Sequence, residues 1–428
     1  MQIAESASSN FLMQHPTTLA AWLDELARRH PPQIMELGLE RPKRAMQRLG
    51  IAQPDPQQTR IVTIAGTNGK GSVAMLLARM LTRAGISNGL YLSPHLYDFR
   101  ERVQINGNVL TAADWVAAFN TIDARCNTHE LTFFEWVTLA AFLLLGRRRP
   151  KIWVLEIGLG GRLDVVNTLD NQLNLITSID LDHTDRLGST LDAIATEKAG
   201  VMRRGKPTIC ASPLAVFKPL AQQAGAQLSQ IDKDWRVQQQ SDRVHLEAGD
   251  WQLQAPLPAG VQAHNMALAL LAARTLALPA LDAVLQQPDW LAQVQLPARQ
   301  QLVHWNGIRC MIDVAHNQSG IASLAQRMAQ DFAGVPAVAV FACLADKQPP
   351  ANIAALFPQV HSWLVADLSG ARTQSAAQLI KRLQLPGAMS LSDFSAAQLQ
   401  ELVGDGVLLV FGSFLVPPLV RKLLGADS

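Results

Sequence analysis

The sequence predicts an α/β protein in which an N-terminal domain with a parallel sheet is followed by a smaller C-terminal α/β domain. Short apolar runs rich in β-branched residues, such as residues 61–65 and 174–179, alternate with segments of helical periodicity. A second series of such runs begins at residue 309, beyond a segment flanked by Pro288 and Pro297. Because strands that alternate with helices are typical of parallel sheets, the second series predicts a Rossmann-like domain.

The length and composition agree with two globular domains. A chain of 428 residues usually forms about two to three domains. We expect the first domain to cover residues 1–289, a linker to cover 290–298 and the second domain to cover 299–428. With 48% hydrophobic and 17% charged residues, the chain can bury ordinary cores and is not disordered by composition.

Charge and hydropathy argue against nucleic acid and membranes as partners. A net charge of +2 gives no support to nucleic-acid binding. The most apolar window, residues 131–146, is shorter than the roughly 18–20 residues that span a bilayer and contains Glu135, so it predicts a buried helix. The cysteines are far apart and form no CxxC pair, which predicts neither zinc nor a disulfide framework and indicates a reducing cytoplasm. They are Cys126, Cys210, Cys310 and Cys343.

Residues 60–71 form the strongest local signal, a strand followed by a glycine-rich turn and a helix start. Residues 66–72 read GTNGKGS, so backbone N–H groups, the helix dipole and Lys70 converge on one point. This arrangement predicts a phosphate loop for a nucleoside triphosphate. The usual pattern has Ser or Thr directly after the lysine, whereas here Gly71 intervenes before Ser72. A ligand-free turn would explain the glycines and asparagine, but not a lysine between two glycines at a helix start.

Polar residues also follow other predicted strands, at the edge where ligands of open parallel sheets bind. Each has a functional and a structural interpretation. Glu156 would hold magnesium or pair with Arg162, and His183 would be a metal ligand or a hydrogen-bonded structural residue. Asp313 would hold ribose hydroxyls or cap its strand. Arg299, which lies at the exit of the predicted linker rather than after a strand, would reach nucleotide phosphates across an interdomain cleft or lie at the surface.

Taken together, the motifs are more specific than any one of them. They occur in the order AGTNGKGS (65–72), SPHL (93–96), ERV (101–103), FFE (133–135), EIGLGGRLD (156–164), LDHTDRLG (181–188), EKAG (197–200) and DVAHN (313–317). In this combination the chain closely resembles the bifunctional dihydrofolate synthase/folylpolyglutamate synthases of the Mur ligase superfamily. The resemblance runs from about residue 19 to residue 414, nearly the whole chain.

The resemblance implies an ATP-binding, Mur ligase-like first domain and a glutamate-ligase second domain. It implies that ATP is held by Thr67, Asn68, Gly69, Lys70, Gly71, Ser72, Asn265, Arg299 and Asp313. It implies that Mg²⁺ is held by Ser93, Glu156 and His183, and leaves room for a monovalent cation such as K⁺. Lys198 matches a lysine that is carbamylated in the family, and a carbamate would supply oxygens and negative charge beside the metal.

The resemblance also implies the substrate contacts. The pterin-bearing substrate is expected against Glu36, Leu37, Gly38, Leu39, Thr132, Phe133, Phe134, Glu135, Leu163 and Asp164. His316 and Ser413 match positions close to the incoming glutamate, and His316 would orient or deprotonate its amine.

The chain departs from the family pattern at a few positions. Glu36 stands where the family frequently has Asp, and residues 165–166 are Val-Val where Ala-Thr is usual. Ala298 replaces a glycine before Arg299, and residues 414–416 lack a histidine that several bacterial members carry. These departures concern substrate preference more than the phosphate or metal groups.

The sequence therefore predicts an ATP-dependent C–N ligase that joins L-glutamate to 7,8-dihydropteroate, giving dihydrofolate, and to tetrahydrofolate. Its partners would be these small molecules, and a monomer is expected. One alternative is a Mur-type ligase acting on a cell-wall nucleotide peptide, against which the SPHL and FFE motifs argue. Another is a nucleotide-binding scaffold without chemistry, against which the intact Glu156, His183 and Lys198 argue.

Overall fold

The computed structural model describes residues 16–31, 36–126, 130–345, 347–368, 373–385 and 387–426. It contains a large N-terminal sheet, a small antiparallel sheet and a C-terminal sheet. The strands of the first sheet are β1 (Arg60–Ala65), β2 (Asn88–Tyr91), β3 (Val103–Ile105), β4 (Asn108–Val109), β5 (Ile152–Glu156), β6 (Leu173–Ile176), β7 (Pro207–Cys210) and β8 (Gln227–Gln230).

The first sheet is parallel except at one edge. Its eight strands lie in the order β4-β3-β2-β5-β1-β6-β7-β8, with a β3–β4 hairpin antiparallel to β2. Helices along this part of the chain are α1 (Leu19–Arg29), α2 (Glu40–Leu49), α3 (Lys70–Arg83), α4 (Ala112–Arg125), α5 (Phe133–Arg148), α6 (Thr184–Leu187), α7 (Leu191–Ala199), α8 (Phe217–Ala224), α9 (Ala263–Thr275) and α10 (Pro279–Gln286).

The central strand β1 is buried on both faces because helices cover each side of the sheet. Val62 and Ile64 point to the layer that contains α3 and α9. Ile61 and Ala65, which alternate with them, point to the layer that contains α1, α2, α4 and α5. The small sheet consists of β9 (Trp235–Gln240), β10 (Arg243–Ala248) and β11 (Trp251–Pro256), and its inner residues join the α3–α9 layer.

The C-terminal sheet is also mostly parallel. It has the order β12-β13-β17-β14-β15-β16, and only the edge strand β12 is antiparallel to its neighbour. Its strands are β12 (Gln301–Trp305), β13 (Ile308–Ile312), β14 (Ala337–Phe341), β15 (Val360–Val365), β16 (Met389–Ser390) and β17 (Val407–Phe411), and its helices are α11 (Gln318–Asp331), α12 (Ala376–Leu383), α13 (Ala396–Val403) and α14 (Val416–Leu423). The predicted fold class, two α/β units with parallel sheets, is confirmed.

The connection between the two sheets is packed rather than free. Residues Pro288–Gln293 form a 3₁₀ helix, and Leu291, Val294 and Leu296 are buried with the α3–α9 layer. Ala298 is already buried in the C-terminal core. Ala298 and Gln300 have φ angles of 48° and 46°, so the chain turns through left-handed conformations on both sides of Arg299. The boundaries at residues 289 and 298 stay predictions.

Two further predictions from the sequence concern membrane-spanning helices and disulfide bonds. None of the helices in the described ranges is long and apolar enough to cross a membrane, and α5 is 16 residues long. The four cysteines, all of them described, are buried, and none of them forms a disulfide with another.

A glycine at the connection gives the first testable prediction. Gly260 has a φ of +72°, and a Cβ there would collide with the carbonyl group of Arg299. Gly260→Ala should lower the free energy of unfolding by more than about 2 kcal/mol, because left-handed strain adds to the collision. Gly249, at φ +58° with nothing within 4 Å, is the matched control. Gly249→Ala should lose only about 1 kcal/mol in urea denaturation, and equal losses for both variants would contradict the prediction.

Candidate active site

The glycine-rich turn predicted to be a phosphate loop lies between β1 and α3. Lys70 is the first residue of α3, and its Nζ donates hydrogen bonds to the carbonyl oxygens of Gly66 (3.1 Å) and Thr67 (3.2 Å). Gly69 has a φ of +86°, and a Cβ there would collide with the side-chain amide of Asn265. The free N–H groups at the start of this 14-residue helix therefore face the same space as Lys70 and Asn265.

A cavity of about 310 Å³ lies between the carboxyl ends of the first sheet and the C-terminal sheet. It brings together the sequence-predicted residues for phosphate, metal and glutamate from both halves of the chain. Those that line it are Thr67, Asn68, Gly69, Lys70, Gly71, Ser72, Ser93, Glu156, His183, Asn265, Arg299, Asp313, His316 and Ser413.

Glu156 is a buried carboxylate at the end of β5. Its Oε2 accepts a hydrogen bond from the backbone N–H of Ser93 at 2.9 Å, and both oxygens face Gly71. Burial raises the pKa of Glu156, although the nearby charge of Lys70 opposes this effect. The alternative ion pair with Arg162 is wrong, because Arg162 instead pairs with Glu197 at 2.8 Å.

The oxygen donors of Ser93 and Glu156 suit a hard cation, whereas the imidazole nitrogen of His183 is a softer ligand. Ser93 and Glu156 are joined by a hydrogen bond, and His183 lines the same cavity. A buried carboxylate with raised pKa is an incompletely compensated negative charge, which a divalent cation would neutralise. The described part of the chain contains no cluster of three or more His, Cys, Asp or Glu residues able to hold a metal, so a cation here would depend on the mixed set and on its other ligands.

Lys198 lies beneath the phosphate loop rather than in the wall of the cavity. It is buried in the last turn of α7, and its Nζ donates to the carbonyl oxygen of Gly66 at 2.8 Å. Burial, with a smaller contribution from the charge of Lys70, lowers the pKa of Lys198 to about 7. A large fraction of this amine is therefore neutral, and nucleophilic, near neutral pH.

Asp313 and Arg299 form the opposite wall. Asp313 follows β13, and its carboxylate accepts hydrogen bonds from the backbone N–H groups of Gln300 (2.9 Å) and Ala315 (2.7 Å). The Arg299 guanidinium lies 5.3 Å from the ring centroid of Phe414 and is partly buried. The interpretation of Arg299 as a surface residue is wrong.

His316 is held as a neutral imidazole. Its Nδ1 lies 2.7 Å from the carbonyl oxygen of Val314. Because a carbonyl oxygen only accepts, Nδ1 carries the proton and Nε2 carries the lone pair. Burial lowers the pKa of His316 to about 4, and the charge of Lys347 adds to this effect. At neutral pH, Nε2 of His316 is thus available as a hydrogen-bond acceptor, while Nδ1 donates to Val314.

Sequence reasoning missed the contacts that join the two walls. The Asn317 side-chain amide donates to Oδ1 of Asn68 at 3.0 Å, and Nζ of Lys347 lies 2.7 Å from Oδ1 of Asp182. Asn317 ends the DVAHN motif, and Lys347 follows β14 at the same sheet edge as Asp313. The rule that ligands bind at the carboxyl ends of parallel strands could have found both.

The residues predicted to contact the pterin form a neighbouring cluster. Gly38 N–H donates to the carbonyl oxygen of Leu163 at 3.1 Å. Arg41, another residue that sequence reasoning missed, donates to Oε2 of Glu36 (2.6 Å) and Oε1 of Glu135 (3.1 Å). These bonds bring together the three predicted segments, residues 36–39, 132–135 and 163–164.

This cluster adjoins the cavity without lining it. None of the predicted pterin-contact residues, all of which the structure describes, is part of the cavity wall. The ring of Phe134 packs against Gly158, which does line the cavity. The carboxylate of Asp164 accepts hydrogen bonds from Leu159 and Val166 N–H, both at 2.9 Å, and burial raises the pKa of Asp164 to about 6.

Comparison with known families agrees with this architecture. The sequence model of the Mur ligase middle domain matches residues 64–273, and that of the Mur ligase, glutamate ligase domain matches residues 298–414. The two matched regions contain the two walls of the cavity. The class that fold and site define is thus that of the Mur ligases.

Curated relatives narrow the class further. Dihydrofolate synthase/folylpolyglutamate synthase of Escherichia coli K12 is 34% identical, covering 96% of this chain and 97% of that protein. The protein of the same name from Haemophilus influenzae is 32% identical, covering 95% and 97%. The chain belongs to the dihydrofolate synthase/folylpolyglutamate synthase family.

Solved structures agree with this family assignment. E. coli FolC in complex with DHPP and ADP superimposes with a TM-score of 0.84 at 34% identity, covering 96% of this chain and 98% of that chain. A bifunctional folylpolyglutamate synthase/dihydrofolate synthase with Mn, AMPPNP and L-glutamate bound has a TM-score of 0.82 at 37% identity, with the same coverage.

The buried amine of Lys198 predicts how stability depends on pH. A lysine in an unfolded chain has a pKa of about 10.4, whereas the folded value is about 7. Between these values the unfolded chain binds a proton that the folded chain does not, so the free energy of unfolding rises with pH. Lys70, whose pKa burial also lowers, contributes with the same sign.

Lys198→Met should therefore show a smaller increase in the free energy of unfolding than the wild type between about pH 7 and about pH 9. Urea denaturation in bicarbonate-free buffer measures this difference. The same slope in both proteins would contradict the burial of a neutral amine at this position.

Proposed function

We propose that the chain is an ATP-dependent acid–amino acid ligase that adds L-glutamate to 7,8-dihydropteroate and to tetrahydrofolate. The observation that carries the proposal is the single cavity in which the phosphate loop and the Ser93–Glu156 pair face Asp313 and His316. Relatives named for these two activities match over nearly the full length, and one structural neighbour contains DHPP and ADP.

ATP would lie with its phosphates on residues 67–72. The first N–H groups of α3 and the charge of Lys70 provide the anion site. The amide oxygen Oδ1 of Asn265 is buried and has no hydrogen-bond partner among the described residues, so it suits an N–H of the base. Asp313 has acceptor capacity left for a ribose hydroxyl, and Arg299 would balance phosphate charge.

Ser93, Glu156 and His183 would hold Mg²⁺. The relative with Mn bound supports a divalent cation in this family but does not distinguish Mg²⁺ from Mn²⁺. Bound there, the metal would neutralise charge on the transferring phosphoryl group. Lys198 would react as a neutral amine with CO₂, forming an N–C bond and releasing a proton to give a carbamate. Its pKa of about 7 supports this step. We also propose a site for K⁺, to which no residue is assigned.

The chemistry would proceed in two steps. The folate carboxylate attacks the γ-phosphorus of ATP, giving an acyl phosphate and ADP. The amine of glutamate then attacks the acyl carbon, so that an amide forms while phosphate and a proton leave. Nε2 of His316 would accept a hydrogen bond from the amine and orient it, and the buried Ser413 would lie beside the same substrate.

The cluster around Arg41 would hold the pterin. Residues 36–39, 132–135 and 163–164 converge beside Gly158, at the border of the cavity. A pterin bound there would direct its carboxylate-bearing end toward the phosphate loop. We further propose a monomer that acts in the cytoplasm, and the lack of a disulfide among the four described cysteines supports this location.

The proposal is tested by ADP release from the purified protein with ATP, Mg²⁺ and L-glutamate. Dihydropteroate, tetrahydrofolate and a muramoyl nucleotide peptide are offered in separate reactions. Turnover with both dihydropteroate and tetrahydrofolate establishes the bifunctional enzyme. Turnover with one of them restricts the enzyme to that activity. Turnover with the muramoyl peptide alone would overturn the folate assignment.

Lys70 should be essential for the reaction. Lys70→Ala removes the side-chain cation that lies in the proposed phosphate loop itself, so ADP release should fall by more than about a thousandfold. Lys43, an exposed lysine on α2, is the control, and Lys43→Ala should retain wild-type turnover. Near-normal turnover in Lys70→Ala with an intact fold would contradict the assigned phosphate site.

His316 should act by orientation rather than by titration. His316→Gln should raise the KM for glutamate about tenfold while leaving the KM for ATP unchanged. Because the pKa of His316 is about 4, it is neutral above about pH 6, so the ratio of wild-type to variant kcat/KM should stay constant from about pH 6 to pH 8. A ratio that changes near the usual pKa of histidine would indicate a general base instead.

A further inference from the structure

One residue of the first domain is buried in the core of the second. Leu96 follows β2 and is 6% exposed, yet it packs in the hydrophobic core of the C-terminal sheet. The other buried members of that core lie between Ala298 and Leu424. The segment after β2 therefore crosses to the other domain and inserts one side chain there.

The next residue strengthens this contact. Tyr97 packs against the same core, and the guanidinium of Arg421 on α14 lies 4.8 Å from its ring centroid. This is a cation–π contact between the two halves of the chain. Burial raises the pKa of Tyr97 to about 12, so the ring stays neutral at physiological pH.

The inserted segment is rigid. The carboxylate of Glu101 accepts hydrogen bonds from the backbone N–H groups of Leu96 (2.8 Å), Tyr97 (3.0 Å) and Asp98 (2.9 Å). Three charge-assisted hydrogen bonds to consecutive N–H groups fix the path of the backbone. A displacement of Leu96 would therefore move the segment as a unit.

The other end of this segment is in the cavity. Only Pro94 and His95 stand between Leu96 and Ser93, whose N–H donates to Glu156 at 2.9 Å. Because an extended residue spans at most about 3.6 Å, the positions of Ser93 and Leu96 are closely coupled. The C-terminal domain thus holds one end of the segment 93–97, here called the strut, and the other end of this strut contacts Glu156.

We propose that Leu96 and Tyr97 are positioning residues: their docking in the C-terminal domain sets Ser93, and through it Glu156, at the phosphate cavity. The role of Ser93 and Glu156 rests on the proposed function, whereas the docking does not. The C-terminal domain then contributes to nucleotide binding twice, through its own cavity residues and through this segment. Separation of the domains would release the strut and disorganise the first-domain wall.

The test compares Leu96→Ala with Leu110→Ala. Leu110 is 7% exposed and belongs to the core of the first domain, so the two variants remove the same group at equal burial. Hydrogen exchange of the backbone amides of residues 93 and 95–98 is measured without nucleotide or metal. The KM for ATP is measured at saturating Mg²⁺ and folate substrate.

Leu96→Ala should speed exchange in residues 93–98 by about tenfold or more and raise the KM for ATP about tenfold. Leu110→Ala should lose comparable stability and change neither quantity. Leu96→Met, which refills most of the volume, should restore both.

A milder pair of variants keeps the test decisive if Leu96→Ala does not fold. Arg421→Gln removes the contact with Tyr97, whereas Arg309→Gln removes a similar contact, 5.4 Å from the Phe332 ring, within the C-terminal domain. Arg421→Gln should raise exchange in residues 93–98 about two- to fivefold, and Arg309→Gln should not.

Unchanged exchange in both Leu96→Ala and Arg421→Gln would overturn the positioning role. If the wild type releases no ADP with either folate, the proposed function fails. The exchange measurements, which need no activity, then still decide whether Leu96 and Tyr97 hold residues 93–98 in place.

Discussion

The site depends on one topological constraint, the parallel arrangement of strands in both sheets. All parallel strands end on the same edge, so loops that are far apart in sequence meet there. In the first sheet β1, β5 and β6 deliver the phosphate loop, Glu156 and the segment of His183 to one edge. In the second sheet β13, β14 and β17 deliver Asp313, Lys347 and Ser413. The cavity exists because these two edges face each other.

Burial of charge at that junction sets the chemistry. Lys70 and Lys198 both have pKa values lowered by burial, and Glu156 has a pKa raised by burial. Each group is thus removed from water without a full complement of partners, a state that a folded protein tolerates mainly at functional sites. Ligands that carry phosphate and a divalent cation would supply the missing counter-charges. Phosphate would neutralise the buried lysines, and the divalent cation would neutralise the buried glutamate. The charges that the protein leaves uncompensated are therefore opposite to those that phosphoryl transfer brings to the site.

Much of the fold could be predicted from local sequence patterns. The apolar runs at 61–65 and 174–179 correspond to β1 and β6, and the glycine-rich turn does open into a helix. β6 ends early, at Ile176, because the chain leaves the sheet there and Ser178 bridges to Asn68 in the phosphate loop. A tertiary contact overrides local propensity at that point.

What the sequence could not predict are partners chosen in three dimensions. Arg41 is unremarkable in the sequence, yet it bridges Glu36 and Glu135. Arg162, which the sequence offers as a partner of Glu156, pairs with Glu197 instead. Leu96 resembles any apolar loop residue, and no periodicity indicates that it packs in the other domain. Such contacts depend on how the two sheets meet, which periodicity and turn chemistry do not encode.

The short passage between the two cores has a mechanical consequence. Leu296 belongs to one core and Ala298 to the other, and the left-handed backbone at Ala298 and Gln300 fixes the direction of the chain between them. Any relative motion of the two sheets would require changes in the few backbone torsions between Leu296 and Gln300, because no flexible linker separates the two cores. A short connection with restricted torsions has little backbone entropy to lose when ligands bind between the two sheets, so more of the binding energy is left for organising the reactants.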